Sequence, residues 1–178
     1  MAVSSIPHVY FFTFLFSIIH ELIHLIFIYA FKSRVSYFSL SVFGAEIKRL
    51  ETFHLSFLKE AIISFSAPVF NIILGLSFLR NNKTVATTNL IIGLFNLLPF
   101  YTFDGGRGVF YLLKYATTEK KAEIIITITS VAITIIFSFV GVFVFFNYNR
   151  NYTLLVFTLY LFLTLIFKNK RIFIKDKL

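Results

Sequence analysis

The sequence predicts an α-helical polytopic membrane protein, and three observations carry that prediction. Of 178 residues, 58% are hydrophobic and 20% aromatic, and the mean hydropathy is +0.85. A soluble domain of this length buries roughly 70% of its surface and has no use for so much apolar material. Several apolar runs are long enough to cross the hydrocarbon core of a bilayer, roughly 30 Å thick. The basic residues lie between these runs and after the last of them.

Run length and polarity place five spans, at Val9 to Phe31, about Ala61 to Leu79, about Val85 to Phe103, about Ile124 to Phe146, and Tyr152 to Phe167. The last is short, and its flanking Tyr and Lys residues can extend it by snorkelling. Fourteen of the seventeen Lys and Arg residues fall on one side of this arrangement, leaving Arg80, Lys83 and Arg150 on the other. The positive-inside rule then sets the N-terminus outside and the C-terminus in the cytoplasm. Between the first two spans, Val35 to Leu50 alternates around Phe43-Gly44-Ala45, which predicts a short membrane-associated β-hairpin at the cytoplasmic interface. Pro68 and Pro99 are expected to interrupt spans two and three, because proline removes a helix hydrogen bond.

Composition also excludes classes. The net charge is +9, but no basic stripe interleaved with aromatics is present, so no nucleic-acid partner is expected. With no cysteine there is neither a disulfide framework nor a thiolate metal site. Any metal must be held by His, Asp or Glu, and the chain has four His and eight acids.

Within span one stands His20-Glu21-Leu22-Ile23-His24. Ionisable side chains at membrane depth are costly and mark functional sites by default. Helix positions i and i+4 lie about 40° apart and one turn up, so His20 and His24 can aim two nitrogens at one ion. Glu21 falls on the adjacent face, where a carboxylate can take a proton from an attacking water without being a ligand. The plainer account is a polar patch that hydrogen-bonds neighbouring helices. A lone His would favour it; two His with a Glu between them favour zinc.

A catalytic zinc takes three protein ligands and leaves one position open. His8 and His54 are most simply solvated, and Glu119, Glu123 and Asp176 sit among Lys. Asp104 is different, closing span three before Gly105-Gly106-Arg107 at a depth within a turn or two of the histidines. Asp-Gly-Gly-Arg alone reads as a helix cap and turn. Beside a zinc helix short of a third ligand, it reads as that ligand.

These residues resemble those of a known family. His20-Glu21-Leu22-Ile23-His24, followed by Asn96-Leu97-Leu98-Pro99 and Asp104-Gly105-Gly106-Arg107, is similar to the two-part metal motif of the site-2 protease family of intramembrane zinc metalloproteases. Ser66-Ala67-Pro68-Val69-Phe70-Asn71 resembles the Ala-Gly-Pro-x-x-Asn of the family's intervening helix. The resemblance covers about Phe12 to Lys114 and implies a three-helix metalloprotease core over about 9–114, with accessory helices over about 120–170. It implies a single integral-membrane domain over 1–178, with no PDZ or CBS domain. By the same resemblance Zn2+ is the cofactor, His20, His24 and Asp104 are its ligands, and Glu21 is the general base. Asn96 and Asn71 would bind substrate or polarise its carbonyl. Ile23 and Ala67 stand where the family usually has Gly.

The compact form looks most like the stage IV sporulation protein FB branch, which cleaves the pro-sequence of a sigma factor from the cytoplasmic side. The implied activity is therefore regulated intramembrane proteolysis of a membrane-associated protein substrate in a bacterial cytoplasmic membrane. Partners would be that substrate, the lipid bilayer and a membrane regulatory protein. The alternative is a catalytically silent membrane scaffold of the same fold that binds a partner protein. A two-His haem site fits poorly, because both imidazoles share one helix face, and no inverted repeat points to a transporter.

Overall fold

The computed structural model describes residues 6–32, 35–41, 44–49, 55–147 and 151–175, with side chains described for 8–32, 55–147 and 151–167. Among these residues there are six helices: α1 (Ile6–Ala30), α2 (Phe57–Ser77), α3 (Lys83–Leu97), α4 (Asp104–Ala116), α5 (Glu119–Asn147) and α6 (Thr153–Lys175). Two strands, β1 (Val35–Ser41) and β2 (Gly44–Arg49), pair antiparallel with Ser41 opposite Gly44, and a register irregularity falls between Val35 and Tyr37. Residues 42–43, which join them, lie outside the described residues, and a membrane-associated placement of the pair has no support in the fold.

The expected count of five spans is corrected. Among the described residues three helices, His8–Ala30 within α1, Phe57–Ser77 and Glu119–Asn147, are long and apolar enough to cross a membrane. The third expected span fails at Pro99. The residue before a proline is driven out of helical geometry, and Leu98 accordingly takes φ −56°, ψ 135°, ending α3 after 15 residues. Fifteen residues of helix reach only about 22 Å. The fifth expected span is helical in α6, whose apolar stretch among the described residues is Thr153–Phe167. Pro68 behaves differently from expectation, lying inside α2 without ending it.

The chain divides into two compact units, Met1–Glu123 and Ile124–Leu178. In the first, α2 is the hub and packs against α1, α3 and α4, while α1 also meets α3. Small residues let α2 and α3 approach closely. A Cβ added at Gly75 would lie 3.0 Å from the Ala86 carbonyl oxygen, and one at Gly93 would lie 2.8 Å from that of Pro68. This close seam brings the polar residues of the two helices into contact.

The polarity of this unit is that of a protein in lipid. Phe14, Ile26 and Tyr29 on α1 are exposed, whereas His20, His24, Asn71, Asn89 and Asp104 are buried. Apolar side chains facing out and polar ones facing in are what a hydrocarbon solvent selects.

In the second unit, the rings of Phe137 and Phe157 meet edge to face at 5.5 Å. Buried Ser130 and Thr134 return their hydroxyls to the carbonyls of Ile126 and Ser130, at 2.6 and 2.9 Å. Hydroxyls satisfied within their own helix carry no desolvation cost in an apolar surrounding.

Candidate metal centre

Three side chains from two elements converge. His20 and His24 stand one turn apart on α1, their rings 5.0 Å apart at 86°. Asp104 opens α4, and its Oδ2 lies 2.9 Å from Nε2 of His20 and 3.1 Å from Nε2 of His24. All three residues are buried, and their ligand atoms lie within 4.8 Å of one another. Asp104 thus begins a helix instead of capping the preceding one.

The approach of α4 depends on Gly105 and Gly106. A Cβ on Gly105 would collide with the backbone carbonyl of Leu97, and one on Gly106 with that of Phe100. Between α3 and α4, residues 98–103 fold tightly, with the Phe103 N–H donating to the Phe100 carbonyl at 2.9 Å and the Phe100 ring fully buried. Only residues without side chains let the first turn of α4 lie against this segment, and that packing fixes the position of the carboxylate.

The far nitrogens of both imidazoles are engaged. His20 Nδ1 lies 2.7 Å from Oδ1 of Asn71, and His24 Nδ1 lies 2.9 Å from the Ile63 carbonyl oxygen. An oxygen of either kind only accepts, so each Nδ1 donates, and in the neutral imidazole that leaves Nε2 with its lone pair. Asn71 Nδ2 donates in turn to Oδ1 of Asn89 at 2.8 Å, and Asn89 Nδ2 donates to the Val85 carbonyl at 2.9 Å.

The donor set fits a zinc ion. Two lone pairs and a carboxylate face one another, an arrangement stable only with a cation or a proton among them. His24 Nε2 is buried and has no hydrogen-bond partner among the described residues. Its 3.1 Å approach to Asp104 is close but not aligned as a hydrogen bond. Ligand atoms around a tetrahedral zinc at 2.0–2.1 Å lie roughly 3.3 Å apart. The two spacings from Asp104 to the imidazoles, 2.9 and 3.1 Å, match that within half an ångström, and all three ligand atoms lie within 4.8 Å of one another.

Glu21 is half-buried beside the cluster, and its electrostatic neighbours are His24, His20, Asp104 and Arg107. Arg107, about half exposed, brings its guanidinium to 4.0 Å from the other oxygen of Asp104. Of the two asparagines, Asn71 is fully buried behind His20, with its amide committed to His20 and Asn89. Asn96 stands on the last turn of α3, half-buried, its Nδ2 donating to the Ile92 carbonyl at 3.1 Å. His8 is exposed near the start of α1, and Glu119 pairs with Lys114 at 3.0 Å. His54 and Asp176 lie outside the described residues.

Asn89 was not predicted as a site residue. Its signal is present in the sequence: an amide in an apolar helix, flanked by Ala86 and Gly93 on one face. Polar residues so placed at membrane depth turn toward a protein partner.

The chain has the fold of a site-2 protease: it is similar to the structure of the Site-2 Protease from Methanocaldococcus jannaschii, with TM-score 0.64 and 20% identity, over 87% of this chain and 74% of that one. Residues 80–137 match the sequence profile of Peptidase family M50, a stretch that contains Asp104 but not the two histidines. No curated protein matches the chain in sequence.

Proposed function

We propose that this protein is an intramembrane zinc metalloendopeptidase of the site-2 protease type, cleaving a membrane-associated protein substrate. One observation carries the proposal. Two imidazoles and a carboxylate converge in a buried site with both Nδ1 atoms committed elsewhere, so all three remaining groups accept. The M50 match and the site-2 protease fold support the same conclusion.

His20, His24 and Asp104 would hold the ion. Zinc bound there would supply a Lewis acid for a scissile carbonyl and would make water acidic enough to lose a proton near neutral pH. Glu21 would take a proton from the attacking water as general base and return it to the leaving amine. The half-buried position of Glu21, on the same helix as two ligands but off their face, suits a proton carrier better than a ligand. Arg107 offers a positive charge at the rim of the site, next to the carboxylate that anchors the metal. Asn96, at the end of α3, is the residue we assign to substrate.

A helix conceals its carbonyls in its own hydrogen bonds, so a cleavable segment must be extended. The β1–β2 pair provides strand edges on which such a segment can add. A sigma-factor pro-sequence is the specific substrate we infer, with the active site opening to the cytoplasm. The test is cleavage of a membrane-tethered pro-sigma-factor reporter by wild type and Glu21→Gln. Cleavage by wild type alone, with both proteins inserted, supports the proposal. Equal cleavage by the two proteins would sink it.

A further inference from the structure

The structure assigns Asn89, on α3, the part of a positioning residue: through Asn71 it sets which nitrogen of His20 faces Asp104. The inference rests on the metal-site proposal above and extends it to a helix that supplies no ligand.

A neutral imidazole has two tautomers, and only the one with hydrogen on Nδ1 leaves Nε2 free to bind a metal. His20 cannot choose between them alone. Asn71 could present either its oxygen or its NH2 to Nδ1, since the two ends of an amide have nearly the same shape. Presenting NH2 would make Nδ1 the acceptor and place the hydrogen on Nε2, pointing at Asp104.

Asn89 removes this ambiguity. Its Nδ2 is 2.9 Å from the carbonyl oxygen of Val85, an atom that has no hydrogen to give. Oδ1 of Asn89 is thereby turned to Asn71 and can only accept, so Asn71 directs Nδ2 to it at 2.8 Å. Oδ1 of Asn71 is then the atom left for His20, at 2.7 Å. Each bond dictates the sense of the next, and the series begins at a backbone atom that cannot reverse. Asn71 and Asn89 are both fully buried, so no bulk water can repair a reversed amide. Partners that orient a metal-binding His through its other nitrogen tune affinity in the same way.

The competing account is that the two amides serve only to join α2 to α3. The full chain, labelled with 15N-histidine and purified metal-free in detergent, separates the accounts. His20 tautomer is read from imidazole 15N shifts, and zinc affinity from a competition titration. Asn89→Leu removes both bonds. Asn89→Asp, neutral in so dry a site, keeps the pattern: its O–H donates to Val85 and its C=O accepts from Asn71.

We expect hydrogen on Nδ1 of His20 in wild type and Asn89→Asp, with nearly equal zinc affinities. Asn89→Leu should show mixed tautomers and zinc binding weaker by about 10–100-fold. A folded Asn89→Leu protein with unchanged tautomer and affinity would overturn the inference. So would a wild type in which Nδ1 of His20 carries no hydrogen, which settles the matter even if the Leu variant does not fold. If wild type binds no zinc, the metal-site proposal fails, while the tautomer shift between wild type and Asn89→Leu still decides the part played by Asn89.

Discussion

Oδ2 of Asp104 lies 2.9 Å from Nε2 of His20, although 84 residues of sequence separate them. The helix that brings one ligand and the turn that brings the other have no local connection, so the contact reports how α1 and α4 dock on α2. Replacing Asp104 by Asn keeps the shape and removes the charge. We expect zinc binding to weaken by more than the roughly 10–100-fold typical of losing a supporting hydrogen bond. A competition titration against a chelator measures this.

Glu21 and the ligands should separate experimentally. Glu21→Gln leaves His20, His24 and Asp104 in place, so zinc content should stay at the wild-type level. Cleavage of a membrane-tethered substrate should fall by about 10²–10⁴-fold, the usual contribution of a general base. If the variant lost zinc as well, Glu21 would be a ligand and the assignment would change.

Gly105 tests the geometry rather than the chemistry. Its Cβ position is taken by the Leu97 backbone. Gly105→Ala should therefore push α4 away and cost on the order of 1–3 kcal/mol of stability. It should also weaken zinc binding, because Asp104 moves with that helix. Thermal unfolding with and without zinc shows both effects, and an unchanged zinc-induced shift in midpoint would contradict the coupling.

The strand pair can be tested without touching the metal. Ser39 and Glu46 sit opposite each other in its register. A proline at either position breaks the ladder and removes an edge on which an extended substrate could add. Cleavage should drop while zinc content is unchanged. Full activity in both proline variants would show that substrate is received elsewhere.

Much of this centre could be read from the sequence because its signals are local. The i, i+4 histidines need only a helix, and an aspartate before two glycines is conspicuous when a third ligand is missing. The span count failed where local pattern and tertiary packing disagree. Apolar character continues from Val85 through Phe103, yet the backbone cannot stay helical ahead of Pro99, so α3 stops and α4 starts at Asp104. Pro68 shows the converse: its lost hydrogen bond is tolerated within a helix packed on three neighbours. Asn71 resembles a family position thought to meet substrate, but its burial behind His20 follows from the close seam of α2 with α3, which depends on contacts far apart in the chain. Asn89 was legible only as a polar residue in an apolar helix; its partner is set by packing.

The central claim is that His20, His24 and Asp104 hold one zinc ion, and elemental analysis of the purified chain tests it most directly. After incubation with zinc and removal of excess, wild type should carry about one zinc per chain, and His24→Ala, inserted and folded, should carry almost none. A wild type free of zinc, or a His24→Ala protein that keeps it, would contradict the account.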